Sequence, residues 1–513
     1  MNPRLRLLLI GSLACLLGVI AAAGLAEGNF ILAALLLGLL AIVGVEWLGG
    51  FRAETLLLGF LLVGYIVGNR GFAQIMPVDR VPLLFGELGI VFAGTLVVIR
   101  GALHREWPYR RDVLNLAVFA WLVAGSLRVW WDVRAHGFLA VRDFAAIYYA
   151  LYFFIAQAIV REARAPQWLH RCLLAAFTAL PIITLLFALR PDFFIVNLTF
   201  RGVPLIYQRG DLVAAFLFAG ALFLLAPRPL PVWRWLFAAM ALFAGFALFS
   251  RSGMVALAVG VTIWALARRW QPGRLVIAVL VLGLAGTTIH GLASHQAFHE
   301  TRAYAFYERA LSIFDPTGTG SYQHADIQSS GDNNQFRLVW WRTLAEEVWD
   351  KNPFLGLGFG HDLSTGFLRE YYGMAVDDDF NARSPHSILF SMIGRLGLVG
   401  LLAVLTLLAA LLARTRHAIH HVRDGEPGAA DTLALWTIAW VVLVSAFFGV
   451  VLEGPMGAVL FWCALGLANA RTADTANALA AAATISPESA PAPDPLLPAT
   501  HRTPEAAPSS LNS

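Results

Sequence analysis

Long apolar runs constrain the fold of this chain more than any other feature. The runs at 31–48, 113–130 and 433–451 each approach the roughly 20 residues that a helix needs to cross a bilayer. Charged residues make up only 14% of the sequence, whereas a soluble protein carries about 25%. Because helices satisfy their own backbone hydrogen bonds inside lipid, the runs predict an all-α, polytopic transmembrane bundle.

The apolar pattern predicts about 12–14 spans of bilayer length. The third, eighth and fourteenth candidates are short enough to be re-entrant segments. The candidates lie near residues 7–25, 29–48, 54–68, 82–99, 113–130, 143–160, 172–189, 211–226, 233–249, 252–267, 273–290, 386–413, 432–452 and 455–469.

Arginine placement predicts the orientation, because Lys351 is the only lysine. With the N-terminus inside, most arginine clusters fall in cytoplasmic loops, as the positive-inside rule requires. The segment 291–384 then lies outside, and its 13 acidic and 7 basic residues suit a translocated loop. The net charge of +4 is therefore explained by topology and gives no indication of nucleic-acid binding.

Three regions are predicted. Residues 1–469 form the transmembrane domain, and the large outer loop 291–384 is inserted within it. A loop of this length without structure of its own is uncommon, so we expect short helices there. The segment 470–513 is rich in Ala, Pro, Ser and Thr, and this composition predicts a disordered cytoplasmic tail.

A helix is predicted at 335–350 within the outer loop. Phe336, Val339, Trp340 and Leu344 can share one of its faces. Two interpretations follow from this amphipathic pattern. The helix either lies at the membrane interface or packs inside a small core of the loop itself. The Asn352-Pro353 pair predicts its end.

Arginines near the outer ends of spans are the first candidate site residues. Arg142 opens the sixth span, Arg201 and Arg209 precede the eighth, and Arg251 lies in the tight turn Ser250-Arg251-Ser252-Gly253 between the ninth and tenth. The planar guanidinium suits phosphate oxygens. The alternative is that each arginine merely snorkels to the membrane interface, which is least favoured for Arg251 because a two-helix turn holds it against the bundle.

His386 is the other candidate, at the start of the long apolar segment 386–413. That segment exceeds the roughly 30 Å of the bilayer core, so its first turns must tilt, project or line a cavity. A histidine there can accept a proton near neutral pH. The alternative is an ordinary histidine at a helix end.

Two further signals are weaker. The glycine-rich stretch from Gly356 to Gly360 lacks the lysine and strand context of a phosphate loop, and it is typical of a tight turn. The acidic run Asp377-Asp378-Asp379 is more typical of a solvated loop than of a cation site. We therefore predict no metal site and no cofactor.

Three motifs, in this order, resemble those of the O-antigen ligase and Wzy-type polymerase superfamily of bacterial envelope enzymes. The first is Ser250-Arg251-Ser252-Gly253. The second is Arg337…Trp341, followed by Pro353-Phe354-Leu355-Gly356-Leu357-Gly358. The third is Ser384-Pro385-His386-Ser387 with Gly394 and Gly397. Ser387 stands where the family usually has asparagine, and Arg395 inside the glycine pair is unusual.

The resemblance implies a GT-C-like, metal-independent glycosyltransferase of the bacterial inner membrane. Such enzymes take a glycan from undecaprenyl diphosphate on the periplasmic face and transfer it to a hydroxyl of lipid A–core, protein or another glycan. It implies catalytic roles for His386 and Arg251. Arg142, Arg201, Arg209 and Arg337 become candidate ligands of the donor diphosphate.

Three alternatives remain open at this point. A Wzy-type polymerase of the same superfamily would use a second lipid-linked repeat as acceptor. A lipid-linked oligosaccharide flippase would have a similar number of spans, although transporters often contain internal repeats and none is detected here. A non-catalytic assembly scaffold would need neither the arginines nor the histidine.

Overall fold

The computed structural model describes residues 52–76, 83–105, 107–208, 210–227, 229–315, 317, 319–373 and 383–484, with backbone only for 325–333 and 473–484. The first two predicted spans, 7–25 and 29–48, lie outside these residues.

The described chain is almost entirely helical, which confirms the predicted all-α class. Its strands are the two-residue β1 (Thr199–Phe200) and β2 (Val203–Pro204), an antiparallel pair in which Thr199 lies opposite Pro204. A π-helix at Phe193–Asn197 and a 3₁₀ turn at Phe298–Glu300 supplement the α-helices. The α-helices are α1 (Ala53–Gly68), α2 (Arg70–Ala73), α3 (Phe85–His104), α4 (Val113–His136), α5 (Phe138–Asp143), α6 (Ala145–Tyr148), α7 (Leu151–Ile159), α8 (Ala165–Leu189), α9 (Asp211–Leu224), α10 (Val232–Ala247), α11 (Arg251–Leu266), α12 (Gln271–Ala293), α13 (Arg302–Ser312), α14 (Ala325–Lys351), α15 (Thr365–Tyr371), α16 (Ile388–Arg423), α17 (Ala429–Ala446) and α18 (Pro455–Thr484).

The predicted polytopic membrane architecture is confirmed. By length and composition, 6 of the described helices can cross a membrane, or 7 if one bent pair is counted as a span. Four shorter apolar helices, α1, α9, α10 and α11, accompany them. Each predicted span from the third onward falls on helical structure, but several helices are shorter or longer than the apolar runs that predicted them.

The short helix α9 forms the centre of the bundle. Every residue from Leu212 to Leu224 is buried, and α9 packs against α10, α11 and α17. Such a helix is apolar on all sides because neighbouring helices surround it. By contrast, α12 buries only Pro272 and Gly291, as expected for a helix at the lipid-facing periphery.

The predicted sixth span, 143–160, is broken in the structure. The chain turns at Gly137, whose φ is 57°, and continues as the short helices α5 and α6 before α7. The two halves of this segment meet at an angle of 43°. An uninterrupted apolar run does not predict such a break, because helix turns that face protein and helix turns that face lipid are both apolar.

Helix α16 is also interrupted, at Gly397, whose φ and ψ are 59° and −138°. The backbone amides of Leu398 and Val399 bond outside the helix, to the carbonyls of Pro353 (2.8 Å) and Phe354 (3.3 Å). A Cβ at position 397 would lie 2.5 Å from the Pro353 carbonyl oxygen. The glycine therefore permits the outer loop to dock against the start of this helix.

The outer loop has its own small hydrophobic core. Trp340, Leu344 and Val348 of α14 pack on Leu363 and Phe367, so the structure favours the loop-core interpretation of this helix over the interfacial one. Helix α14 begins at Ala325, earlier than the predicted residue 335, and ends at Lys351, one residue after the predicted end.

The chain divides into two compact units after Thr472. The helix α18 itself extends to Thr484, so the prediction of an irregular chain from residue 470 is wrong for this stretch. Residues 485–513 of the predicted tail lie outside the described chain.

Candidate functional site

Two cavities lie at the end of the bundle that carries the outer loop. The first, which we call the arginine cavity, has a volume of about 340 Å³. It lies between the bundle and helices α13 and α14 of the loop. Its lining consists of Asp211, Phe249, Arg251, Ser252, Val255, Arg309, Ser312, Ile313, Asn334, Arg337, Leu338, Trp341 and Phe448.

The Ser250-Arg251-Ser252-Gly253 motif builds the start of α11 at this cavity. The Ser250 hydroxyl caps the helix by accepting a hydrogen bond from the Gly253 amide at 3.0 Å. A Cβ on Gly253 would meet the Ala214 Cβ at 3.1 Å, so the glycine allows α11 to approach α9. The cap and the close approach together fix the position from which Arg251 lines the cavity.

Arg309, on α13, is a second arginine of this cavity, and sequence reasoning did not identify it. Its Nη1 donates to the Phe249 carbonyl at 3.0 Å, and its guanidinium lies 5.6 Å from the centre of the Phe249 ring. Phe249 immediately precedes the Ser250 cap. Arg309 therefore ties the outer loop to the turn that carries Arg251.

The Arg337…Trp341 motif supplies the third arginine. Residues four apart lie on the same face of a helix, and both side chains line the arginine cavity. The Nε of Arg337 is buried without a hydrogen-bond partner among the described residues. The Trp341 indole donates to the Pro385 carbonyl at 2.7 Å, and its ring stacks on Phe390 at 4.7 Å.

The electrostatics of the arginine cavity favour an anion. Burial lowers the pKa of Arg251, the charges of Arg337 and Arg309 lower it further, and Asp211 and Tyr322 partly offset this. Three guanidinium groups from three helices thus share a cavity whose described lining contains one acidic residue. Bringing like charges together is costly in the absence of a counter-ion, and the guanidinium geometry matches phosphate oxygens.

The second cavity, which we call the histidine cavity, has a volume of about 210 Å³. Its lining is polar with one exception, Val450, and combines basic and acidic groups. The lining residues are Arg142, Asp143, Arg383, Ser384, His386, Arg395, Val450 and Glu453.

His386 is held in an uncommon backbone conformation. Its φ of 55° is left-handed, which costs a non-glycine residue free energy and persists only where the surroundings enforce it. Trp341 bonds the preceding carbonyl. Glu453 Oε1 accepts hydrogen bonds from Ser384 Oγ (2.8 Å) and Ser391 Oγ (2.6 Å), on either side of the histidine.

The protonation of the two titratable groups in this cavity follows from their surroundings. Burial, reinforced by the charge of Arg337, holds the pKa of His386 below its ordinary value, so the imidazole is neutral at neutral pH and able to accept a proton. Burial raises the pKa of Glu453, although the bonds from Ser391 and Ser384 act in the opposite direction. The charge of Arg337 therefore reaches both cavities.

Arg395, which interrupts the glycine pair of the third motif, has a structural role. It is buried, and its Nη2 pairs with Asp143 at 2.8 Å. Its Nη1 donates to the carbonyls of Gly358 (3.1 Å) and His361 (2.5 Å). Asp143 in turn accepts from the Gly360 amide at 2.9 Å. This buried network fixes the glycine stretch beside the histidine cavity.

The glycine stretch itself is a tight turn, as predicted. Gly356, Gly358 and Gly360 have φ values of 69°, 91° and 85°. A Cβ at Gly358 would lie 2.7 Å from Asp132 Oδ1, and the Phe359 amide donates to Asp132 Oδ2 at 2.7 Å. The stretch therefore packs on α4 and shapes the cavity without lining it.

The other predicted site residues that the structure describes do not line the arginine cavity. Arg142 is largely exposed and lines the histidine cavity, not the arginine cavity. Arg201 lies on the exposed β1–β2 turn, over Phe200, and lines neither cavity. Arg209 and the acidic run 377–379 lie outside the described residues. Within the described part of the chain, no group of three or more His, Cys, Asp or Glu side chains is arranged to hold a metal ion.

Comparison with known families agrees with the predicted resemblance. Residues 236–405 match the family model described as O-antigen ligase (Wzy_C), which covers roughly a third of the 513 residues. The matched segment contains Arg251, Arg309, Arg337 and His386, and it ends before Glu453. A search of curated proteins found no match.

Proposed function

We propose that this membrane protein transfers a glycan from undecaprenyl diphosphate to an acceptor hydroxyl on the periplasmic face of the inner membrane. The match of residues 236–405 to the O-antigen ligase family model supports this proposal. The observation that carries the proposal is the convergence of Arg251, Arg309 and Arg337 on one cavity, beside a histidine whose pKa burial lowers.

In this proposal the arginine cavity binds the donor diphosphate. The guanidinium groups neutralise the charge that develops on the leaving diphosphate, and groups already oriented toward such charge stabilise the transition state strongly. Arg337 is the best placed to gain a ligand, because its buried Nε lacks a partner among the described residues.

His386 acts as the general base. It removes the proton from the acceptor hydroxyl, and the oxygen attacks the anomeric carbon of the donor sugar. The bond between that carbon and the diphosphate oxygen breaks, and undecaprenyl diphosphate leaves with the electron pair. The neutral state of His386 at neutral pH is the protonation state that this step requires.

The test is a transfer assay with the purified full-length chain, lipid-linked glycan as donor, and either lipid A–core or a second lipid-linked glycan as acceptor. Formation of a lipid A–core conjugate identifies a ligase, and lengthening of the lipid-linked glycan identifies a polymerase. Relocation of intact donor across vesicles, with no donor consumed, would instead identify a flippase. If neither transfer nor relocation is detected, the protein is a scaffold. Relocation without consumption of the donor and the absence of both activities each contradict the proposal.

Two parts of the proposal have separate tests. Turnover should survive EDTA, since arginines take the charge-neutralising role in this proposal; loss of turnover that magnesium restores would contradict this. Alkaline phosphatase fused at residue 330 should be active and at residue 420 inactive, because the proposed orientation places both termini in the cytoplasm. The reverse pattern would invert the topology.

A further inference from the structure

A carboxylate that no sequence motif identified lies in the histidine cavity. Glu453 is in the short connection between α17 and α18, and it lines the cavity together with His386. Both serine hydrogen bonds end on its Oε1. Its Oε2 accepts neither of these bonds, and the side chain is half-buried at the cavity.

The charge of Arg395 favours the ionised form of Glu453, although the ion pair of this arginine is with Asp143. Arg395 is already paired with Asp143 at 2.8 Å, and Arg383 lies 3.9 Å from the same carboxylate. A half-buried carboxylate retains an oxygen that can accept a hydrogen bond from a bound ligand. A hydroxyl group of a ligand in the cavity would supply such a hydrogen bond.

We propose that the histidine cavity is the acceptor subsite, and that Glu453 Oε2 accepts a hydrogen bond from one hydroxyl of a sugar acceptor while a second hydroxyl of the same sugar faces His386. This inference rests on the proposed glycosyl transfer. It assigns to Glu453 a direct role in binding the acceptor, in addition to its hydrogen bonds on both sides of His386.

The lining of the cavity defines the class of acceptor. Seven of its eight lining residues are polar or charged. A sugar ring presents several hydroxyls to such a lining, whereas a serine or threonine side chain presents one. A site built to bond a hydroxyl strongly disfavours a substrate that lacks it. The acceptor is therefore a carbohydrate rather than a protein side chain.

The experiment compares Glu453→Gln with the wild-type chain in lipid nanodiscs. Donor is lipid-linked glycan from the host strain, and the acceptors are lipid A–core, a second lipid-linked glycan and a serine-rich peptide. Glutamine keeps the size of the side chain and an oxygen for the serine bonds. It presents an amide donor where Oε2 accepted. We expect the KM for the carbohydrate acceptor to rise about 10- to 100-fold, as for loss of a hydrogen bond to a charged group, with an unchanged KM for the donor.

Glu308→Gln is the matched control. Glu308 is a carboxylate of the outer loop that is buried and bonded to His324 at 2.7 Å, and it lines neither cavity. This variant should change neither KM. Ser391→Ala removes one of the serine bonds but keeps the carboxylate, so it should affect kcat more than the acceptor KM.

The outcomes separate the inference from the proposed function. An unchanged acceptor KM in an active Glu453→Gln variant overturns the inference alone. Equal increases in donor and acceptor KM show a structural role and also overturn it, as does efficient transfer to the peptide by the wild type. A wild-type protein that transfers to no acceptor overturns the proposed function, and the inference with it.

Discussion

The two cavities differ in how their charges are balanced. The arginine cavity gathers Arg251, Arg309 and Arg337 around one acidic lining residue. In the histidine cavity the buried cation Arg395 is paired with Asp143, and the titratable His386 and Glu453 lie beside this pair. An excess of fixed positive charge suits binding of an anion. In the histidine cavity Asp143 and Glu453 offset most of the charge of the three lining arginines, and a histidine there can exchange a proton near neutral pH.

The cavities are nevertheless connected. Trp341 lines the arginine cavity and bonds the carbonyl next to His386. Burial lowers the pKa of His386, and the charge of Arg337 lowers it further. The two proposed roles are donor binding at the arginine cavity and proton acceptance by His386. They can therefore be tested at each cavity separately and through the connection between the cavities.

The largest expected effect is at the histidine. His386→Ala should lower kcat by about 10²- to 10⁴-fold, the usual loss for a general base, while binding of the donor lipid persists. Turnover and donor binding are measured on the same purified protein. His420→Ala, an exposed histidine at the far end of α16, is the control and should retain activity. Loss of donor binding in His386→Ala would make the histidine a phosphate ligand and not the base.

Arg251 should give the next largest effect. Arg251→Ala should lower turnover by about 10²- to 10³-fold, as for loss of a group that stabilises transition-state charge, and should also weaken donor binding. Arg251→Lys keeps the charge but loses the two-pronged geometry, so it should remain impaired. Arg201→Ala, on the exposed turn outside both cavities, should behave as wild type. Full activity of Arg251→Ala at saturating donor would exclude its role.

The site residues show what could and what could not be predicted from the sequence. Arg251 and His386 were predicted because each stands at a motif beside an apolar run. Arg309 has no motif, and its contact with Phe249 joins positions 60 residues apart. Glu453 likewise meets Ser384 across 69 residues. Contacts of this kind depend on helix packing, which hydropathy does not encode.

The fold shows the same limit. Apolar runs predicted the helical membrane class and most helix positions, because length and hydropathy determine which segments suit a bilayer. The break in the predicted span 143–160 and the interruption at Gly397 were not predicted. At both breaks, backbone amides and carbonyls leave the helical hydrogen-bond pattern and need partners elsewhere. The Pro353 carbonyl is such a partner for the Leu398 amide. The placement of the helix predicted at 335–350 was also ambiguous, because its amphipathic pattern fits both the membrane interface and the loop core.

The connection between the cavities predicts a shift in pH dependence. The base must be neutral, so kcat should be constant above the lowered pKa of His386 and fall as the pH drops through it. Removing the positive charge in Arg337→Gln stabilises the imidazolium, raises this pKa and moves the acidic limb to higher pH. Arg337→Lys keeps the charge and should leave the limb in place. The measurement is kcat against pH at saturating donor, and an unmoved limb in Arg337→Gln would show that the cavities titrate independently.

The smallest expected effect comes from the two tryptophans, which make equivalent bonds to different targets. Trp341 donates to the Pro385 carbonyl and Trp340 to the Leu363 carbonyl, each at 2.7 Å. Phenylalanine at either position keeps an aromatic ring and removes only the N–H group. A hydrogen bond of this kind contributes about 0.5–1.5 kcal/mol. Trp341→Phe should therefore lower kcat by about 2- to 10-fold, because the bond helps to hold the left-handed conformation of His386.

Trp340→Phe is the matched control for this last effect. Trp340 is fully buried in the loop core, and its ring lies 6.0 Å from the His386 ring. Phenylalanine keeps an aromatic ring there, so the variant should lower the thermal unfolding temperature of the protein while kcat per folded molecule stays near the wild-type value. Trp341→Phe should instead lower kcat and leave the unfolding temperature nearly unchanged, since its ring still stacks on Phe390. Thermal unfolding and kcat measured on both variants decide the matter. Equal losses of kcat in the two would mean that the Trp341 bond stabilises the loop in general and does not act through the histidine.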